Sequence, residues 1–163
     1  MEKIFDWGRF IRRLYLKTDT KTVFNFIATS QGLSIWFLQK ANYLSSNGTL
    51  REKNELAQKN DRYDWTWFYK NHNLKGKVLD INNSDFIKLT FGSSIVSFEI
   101  KSTNGNNLLL ELIQTEKTGT DTQFGEVDCF ATWTFFLTNL KSVIEHGIDL
   151  RDKNPTIEGL TNR

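Results

Sequence analysis

The chain has 163 residues, of which 39% are apolar and 25% are charged, so the sequence predicts one globular domain with a packed core and excludes a disordered chain. Its 21 basic and 19 acidic residues give a net charge of +2, and the basic residues are scattered, so no nucleic-acid partner is expected. The single cysteine excludes an internal disulfide. No stretch has the apolar run of a signal peptide or a membrane span, which predicts a cytoplasmic protein without integral membrane association.

The first predicted strand covers residues 10–17. Phe10, Leu14 and Leu16 recur at period two and share one face of this strand. Arg12 falls on the same face by its position. Either the strand is irregular at this point or the cation points into the protein, and the sequence leaves both readings open.

Two short helices are predicted after this strand. Apolar residues at helical spacing indicate the first over residues 21–28, with Asp19 as a suitable cap. Thr29 and Gly32 end that pattern, and the second helix is predicted over residues 33–37.

The middle of the chain predicts an antiparallel meander, because short alternating segments are separated by turn signals such as Asn47-Gly48 and Asn104-Gly105. The polar segment 51–62 is predicted to be a loop or frayed hairpin with little that is buried. The predicted strands cover residues 41–44, 63–69, 76–81, 87–91, 96–100 and 108–112.

A long helix is predicted from residue 125 to Gly147, which is suited to the position just after a helix end. The polar face of this helix is predicted to include Asn139. The chain after Arg151 is predicted to be a loose tail, so residues 1–163 form one domain with its core at 9–151 and its tail at 152–163. The apolar stripe comprises Val127, Phe130, Trp133, Phe136, Leu137, Leu140, Val143 and Ile144.

These elements together predict an α+β helix-grip fold. A sheet must bury one face, and the long C-terminal helix is the only large apolar partner in the chain. The prediction is therefore a curved antiparallel sheet of six to seven strands around that helix, with the two short helices after the first strand. The space between sheet and helix is either filled by side chains or lined by them.

A row of aromatic residues favours a lined cavity. Tyr63, Trp65, Trp67 and Tyr69 share one face of their strand. Since Tyr and Trp side chains have polar tips, a cavity wall with a few hydrogen-bonding groups suits them better than a dry core. An ordinary aromatic core layer and a solvent-facing row are the alternatives. The predicted ligand-binding residues are Arg12, Trp36, Trp65, Trp67, Tyr69, Phe91, Phe98, Trp133, Phe136 and Leu137.

The order of the elements resembles the START-like superfamily, also called the SRPBCC or pollen-allergen-like helix-grip fold. Segment 23–37 is similar to the family named for the activator of the heat-shock-protein-ninety ATPase. In that family a valine and an aromatic residue open the first helix, and a Trp-Phe pair closes the second. The matching residues are Val23, Phe24, Leu33, Trp36, Phe37, Gly76, Lys77, Val78, Ile81, Leu89, Phe91, Trp133, Leu140, Leu150 and Arg151, together with the stretch from Leu108 to Gln114.

The sequence differs from that family at two places. The family usually has an acidic-proline pair before the first helix, where this chain has Thr18-Asp19-Thr20. The family often has a glycine-rich hairpin after the second strand, where this chain continues from Gly48 into the charged run Arg51-Glu52-Lys53.

Proteins with this fold have different functions, because a fold alone does not determine function. The resemblance therefore implies three alternative functions for this chain. The first is binding of a hydrophobic small molecule or lipid between sheet and helix. The second is a co-chaperone-like domain with a protein partner, acting on a chaperone ATPase. The third is a polyketide-cyclase-like enzyme, for which Tyr69 or Tyr63 with Arg12 would have to serve as the acid–base pair.

Catalysis is the weakest of these expectations. The chain has two histidines, His72 and His146, and neither has the neighbours of a catalytic triad. No cluster has the spacing of metal ligands. We therefore predict no catalytic residue, no metal site and no cofactor, and a binding protein rather than an enzyme.

Overall fold

The computed structural model describes residues 8–68, 72–116, 123–154, 156–158 and 160, with the backbone alone for residues 116 and 123–129. In these residues the elements follow the predicted order. They are β1 (Arg9–Leu16), α1 (Thr20–Ala28), α2 (Ser30–Trp36), β2 (Lys40–Leu44), β3 (Arg62–Thr66), β4 (Asn73–Ile81), β5 (Phe86–Phe91), β6 (Ser94–Ser102), β7 (Leu108–Glu116) and α3 (Gln123–His146).

The strands form one antiparallel sheet in the order β1-β7-β6-β5-β4-β3-β2, so β1 and β2 are its edges. The sheet curves around α3, and the predicted α+β helix-grip architecture is confirmed. The pairing of β4 with β5 shifts register between Val78 and Asp80, and irregularities of this kind bend a sheet.

Local signals place the ends of the helices. The Asp19 carboxylate accepts a hydrogen bond from the Thr22 amide at 2.8 Å and caps α1. The Thr29 hydroxyl accepts one from the Gly32 amide at 2.9 Å and caps α2. Gly147, with φ +69°, ends α3 in the left-handed conformation that favours glycine. No described helix is long and apolar enough to cross a lipid bilayer.

Helix α3 packs against the concave inner face of the sheet and also covers part of its β1 edge. The Lys141 ammonium donates to the Tyr15 carbonyl at 2.5 Å, and the Lys17 amide donates to the Glu145 carboxylate at 2.9 Å. These bonds use backbone groups that an edge strand otherwise leaves unpaired.

One expectation from the sequence is confirmed only in part, and another is wrong. Segment 51–62 is mostly the predicted exposed loop, but Ala57 is fully buried and Asp61 is buried in an ion pair with Arg51. Asn139 does not lie on a polar helix face, because it is fully buried. Its amide donates to the Trp36 carbonyl at 2.7 Å, and its carbonyl accepts from the Leu150 amide at 2.7 Å.

Gly76 of β4 is required by the aromatic ring across the strand pair. It lies opposite Tyr63, and a Cβ at this position would lie 2.3 Å from the Tyr63 ring and 2.5 Å from the Thr90 hydroxyl. We expect Gly76→Ala to lower the free energy of unfolding by about 1–3 kcal/mol, because overpacking forces rings or backbone to move.

Chemical denaturation measures this effect. The matched control is the same substitution in a Tyr63→Ala background, where the ring is gone and only the contact with the Thr90 hydroxyl remains, so Gly76→Ala should cost clearly less there and the two changes should be non-additive. Equal losses in the two backgrounds would show that the ring is not the obstacle.

Candidate functional site

The Phe37 ring lies at the centre of the space between the sheet and α3. Five aromatic side chains surround it, with ring centroids at 4.8–5.8 Å, in stacked and edge-to-face arrangements. We call Phe37 and these five residues the inner aromatic cluster. Its members are Phe37, Trp36, Trp65, Trp67, Trp133 and Phe136.

The structure brings most of the predicted ligand-binding residues to this cluster. Leu137 is buried beside it on α3. Phe91 and Phe98 reach the Trp133 ring from β5 and β6, at centroid distances of 5.3 and 5.7 Å. Tyr69 lies outside the described residues, and β3 ends at Thr66, before the predicted end of the aromatic row. Phe37 was absent from the predicted set, although the family resemblance includes it.

The rings of the inner aromatic cluster touch one another, so side chains fill the middle of the space between the sheet and α3. Two clefts of about 160 and 620 Å³ occur on the described surface. The first lies beside α1 and α2, and the second lies between the start of α1 and the β6–β7 turn, so neither includes a predicted ligand-binding residue. At the centre of this cluster, as far as the described residues show, space for a ligand would have to come from movement of these rings.

A buried polar pair closes one side of the cluster. The Trp133 indole donates to the Gln114 side-chain carbonyl at 2.8 Å, and the Gln114 amide donates to the Ser94 hydroxyl at 3.3 Å. The sequence did not single out Gln114, although it lies two residues after Leu112 and therefore shares the inward face of β7.

Other polar atoms of the inner face are buried without a hydrogen-bond partner among the described residues. They are the Trp65 indole nitrogen and the Tyr43 hydroxyl, whose rings meet edge-to-face at 6.4 Å. Burial raises the pKa of Tyr43 far above its usual range. Burial also raises the pKa of Tyr63 to about 12, although its hydroxyl donates to the Thr90 carbonyl. Both phenols are therefore neutral hydrogen-bonding groups at physiological pH.

Arg12 points inward, and β1 is regular at this position, with Arg12 opposite Leu112. Its Cζ atom lies 3.1 Å from the centroid of the Phe130 ring on α3. Its Nε atom is buried and has no hydrogen-bond partner within the described part of the chain. Burial lowers the pKa of this guanidinium, but the group stays charged.

The chain after α3 is fixed to α2 by Arg151. The Arg151 side chain is 1% exposed, and it donates to the carbonyls of Ser34, Ile35 and Leu38 at 2.6–3.2 Å. It also pairs with Asp149 at 2.8 Å. Although burial alone would raise the pKa of Asp149, the hydrogen bonds from Arg151 hold it far below its usual range. These contacts satisfy carbonyls at the end of α2 that lack helical partners.

The described residues contain neither a metal-ligand cluster nor the proposed pair of Tyr63 and Arg12. No group of three His, Cys, Asp or Glu side chains among them could hold a metal ion. The acid–base pair of Tyr63 and Arg12 is not formed, because four strands separate β3 from β1 and the Tyr63 hydroxyl bonds Thr90. The inner face therefore combines aromatic surface with a few buried polar atoms that have no hydrogen-bond partner among the described residues.

Comparison with known proteins shows similarity of structure only. No protein-family model and no curated protein sequence match the chain. A crystal structure of a protein from Staphylococcus saprophyticus superposes with a TM-score of 0.71 at 13% identity, over 88% of this chain and 96% of that one. The solution structure of the Aha1 dimer from Colwellia psychrerythraea gives 0.66 at 14% identity, over 85% and 97%.

DynU16, from the dynemicin biosynthetic locus, gives a TM-score of 0.68 at 10% identity, over 90% of this chain and 50% of that one. At these identities the likeness shows a shared fold and identifies neither a family nor a superfamily.

Proposed function

We propose that this chain binds a hydrophobic small molecule or lipid between the inner face of its sheet and helix α3. The observation that most supports this proposal is a set of buried polar atoms that lie among the aromatic rings of that face and have no hydrogen-bond partner among the described residues. They are Trp65 Nε1, Tyr43 OH and Arg12 Nε. A small-molecule site combines apolar walls with a few polar groups that fix orientation. An unpaired buried polar atom costs about 1–3 kcal/mol, and a ligand that bonds to it would recover part of that.

The strand order of the sheet places two of these polar atoms on either side of the proposed binding region. Arg12 belongs to the edge strand β1, and Tyr43 belongs to the opposite edge strand β2. The polar atoms of Arg12 and Tyr43 therefore lie towards opposite edges of the sheet, and the inner aromatic cluster with Trp65 lies between them. A ligand would enter beside an edge strand and displace rings of the cluster. A cytoplasmic location is part of this proposal.

Tryptophan emission tests the proposal, because Trp36, Trp65, Trp67 and Trp133 are all buried in the cluster. We expect at least one of palmitate, cholesterol and quercetin to shift or quench the emission of the purified chain saturably. Native mass spectrometry of the same samples should show a one-to-one complex. An unchanged spectrum for all three compounds, with no adduct in the mass spectrum, would contradict ligand binding.

A protein-interaction domain is the second candidate, and the close packing of the inner aromatic cluster favours it. When side chains fill the interior, a partner protein would bind at the outer surface. The emission experiment separates the two candidates, because a protein-interaction domain should show no saturable change with any of these compounds.

A further inference from the structure

Adjacent arginines of β1 have contrasting surroundings. Arg13 points outward and bonds the Glu111 carboxylate at 2.6 Å, and Lys101 pairs with the same carboxylate at 3.0 Å. Arg12 points inward, towards α3, and pairs with no carboxylate among the described residues. Its Nε atom is buried, and taking part of a charged group out of water is costly when no anion compensates it.

The Phe130 ring does not replace that anion. A Cζ-to-centroid distance of 3.1 Å permits only a face-to-face arrangement, because a guanidinium standing on edge would clash with the ring. Phe10 packs edge-on against Phe130 at 5.5 Å and fixes that ring from the same strand. The five N–H groups of a guanidinium lie in its plane. The ring therefore covers a face of Arg12 and does not bond its in-plane donors, of which Nε is buried without a partner among the described residues.

Among the described residues, the neighbours of Arg12 on the inner face are apolar or neutral. Leu112 lies directly opposite on β7, and Gln114, the nearest polar side chain along that strand, is already bonded to Trp133 and Ser94. An anion at Arg12 would therefore meet no described carboxylate that repels it. The residue is only half-buried, so its guanidinium can be reached beside the β1 edge of the sheet.

We propose that Arg12 binds the carboxylate of an amphipathic organic acid, whose apolar part lies along the aromatic inner face. The planar fork of an arginine matches the two oxygens of a carboxylate, and such charge-assisted pairs are the strongest hydrogen bonds that proteins form. The inference rests on the proposed ligand binding and deepens it by naming the chemical class of the ligand.

Calorimetric titration with laurate and with methyl laurate tests the inference, because the two probes differ only in the charged group. We expect the wild-type chain to bind laurate more tightly than the ester by roughly 10- to 100-fold. In Arg12→Met this preference should vanish, while binding of the ester stays within about threefold of wild type. The matched control is Arg9→Met, an exposed arginine of the same strand that should leave the preference intact.

Thermal unfolding of Arg12→Met adds a readout that a purely structural role would not give. Arg12 pairs with no carboxylate among the described residues, so replacing it by an apolar side chain of similar length should leave the midpoint nearly unchanged while laurate affinity falls. Equal binding of laurate and ester by the wild type would overturn the assignment of Arg12 and leave ligand binding in place, as would binding of cholesterol or quercetin without laurate. Failure of all these compounds to bind would overturn both proposals.

Discussion

Truncation of Phe37 to alanine is expected to lower the free energy of unfolding by about 3–5 kcal/mol, the range for removal of a fully buried aromatic side chain. Phe37 is 2% exposed and contacts every other ring of the inner aromatic cluster. Its removal would leave a cavity. The surrounding indole rings cannot easily fill it, because they are rigid and are held in place by strand β3 and by helices α2 and α3.

Urea denaturation followed by circular dichroism measures this loss. Leu50→Ala is the matched control, because Leu50 is 59% exposed and its truncation should cost under about 0.5 kcal/mol. A loss below about 1 kcal/mol for Phe37→Ala would show that the cluster collapses around the gap or is loosely packed. In that case the space between sheet and α3 is more adaptable than the structure indicates.

Replacement of Arg151 by alanine is expected to cost about 3–5 kcal/mol, the range for breaking a buried ion pair by removing one partner. The change would leave Asp149 without its main partner and the carbonyls of Ser34, Ile35 and Leu38 without donors. Arg151→Lys should retain only part of the lost stability, because an ammonium cannot reproduce the fork that bonds several carbonyls at once.

Thermal and urea unfolding of these variants should agree, with Arg9→Ala as the control for loss of an exposed arginine. That control should change the unfolding free energy by less than about 0.5 kcal/mol. If Arg151→Ala is as mild as Arg9→Ala, the chain after α3 does not hold α2 in place, and Asn139 alone carries that junction.

The architecture followed from periodicity, because both kinds of element expose one face to water and bury the other. The alternation of β5 and β6 and the helical stripe of α3 each depend on local sequence, and glycines such as Gly105, with φ +84°, marked their boundaries. The inward direction of Arg12 followed from strand parity for the same reason, once β1 proved to be regular.

The buried polar groups could not be predicted in the same way. Arg151 bonds carbonyls more than 100 positions earlier in the chain, and nothing local to residue 151 indicates that pairing. Asn139 carried a usable signal, since it lies three residues after Phe136 and so falls on the apolar stripe. The prediction placed Asn139 on the polar face because its side chain is polar, although its spacing from Phe136 puts it on the apolar stripe.

The state of the interior was also beyond the sequence. Tyr63, Trp65 and Trp67 are all buried as the alternation predicts, but whether such rings line a space or fill it depends on the exact separation of sheet and helix. Phe37 decides the question here, because it comes from the end of α2 and occupies the centre of the grip.

The most direct measurement of the central claim is a crystal structure of this chain with laurate, with the ligand placed from density calculated without it. The account predicts continuous density between the sheet and α3. The carboxylate oxygens should lie about 2.7–2.9 Å from the Arg12 guanidinium, with rings of the inner aromatic cluster displaced. Laurate bound only on the outer surface, with those rings unmoved and the guanidinium still unpaired, would contradict it.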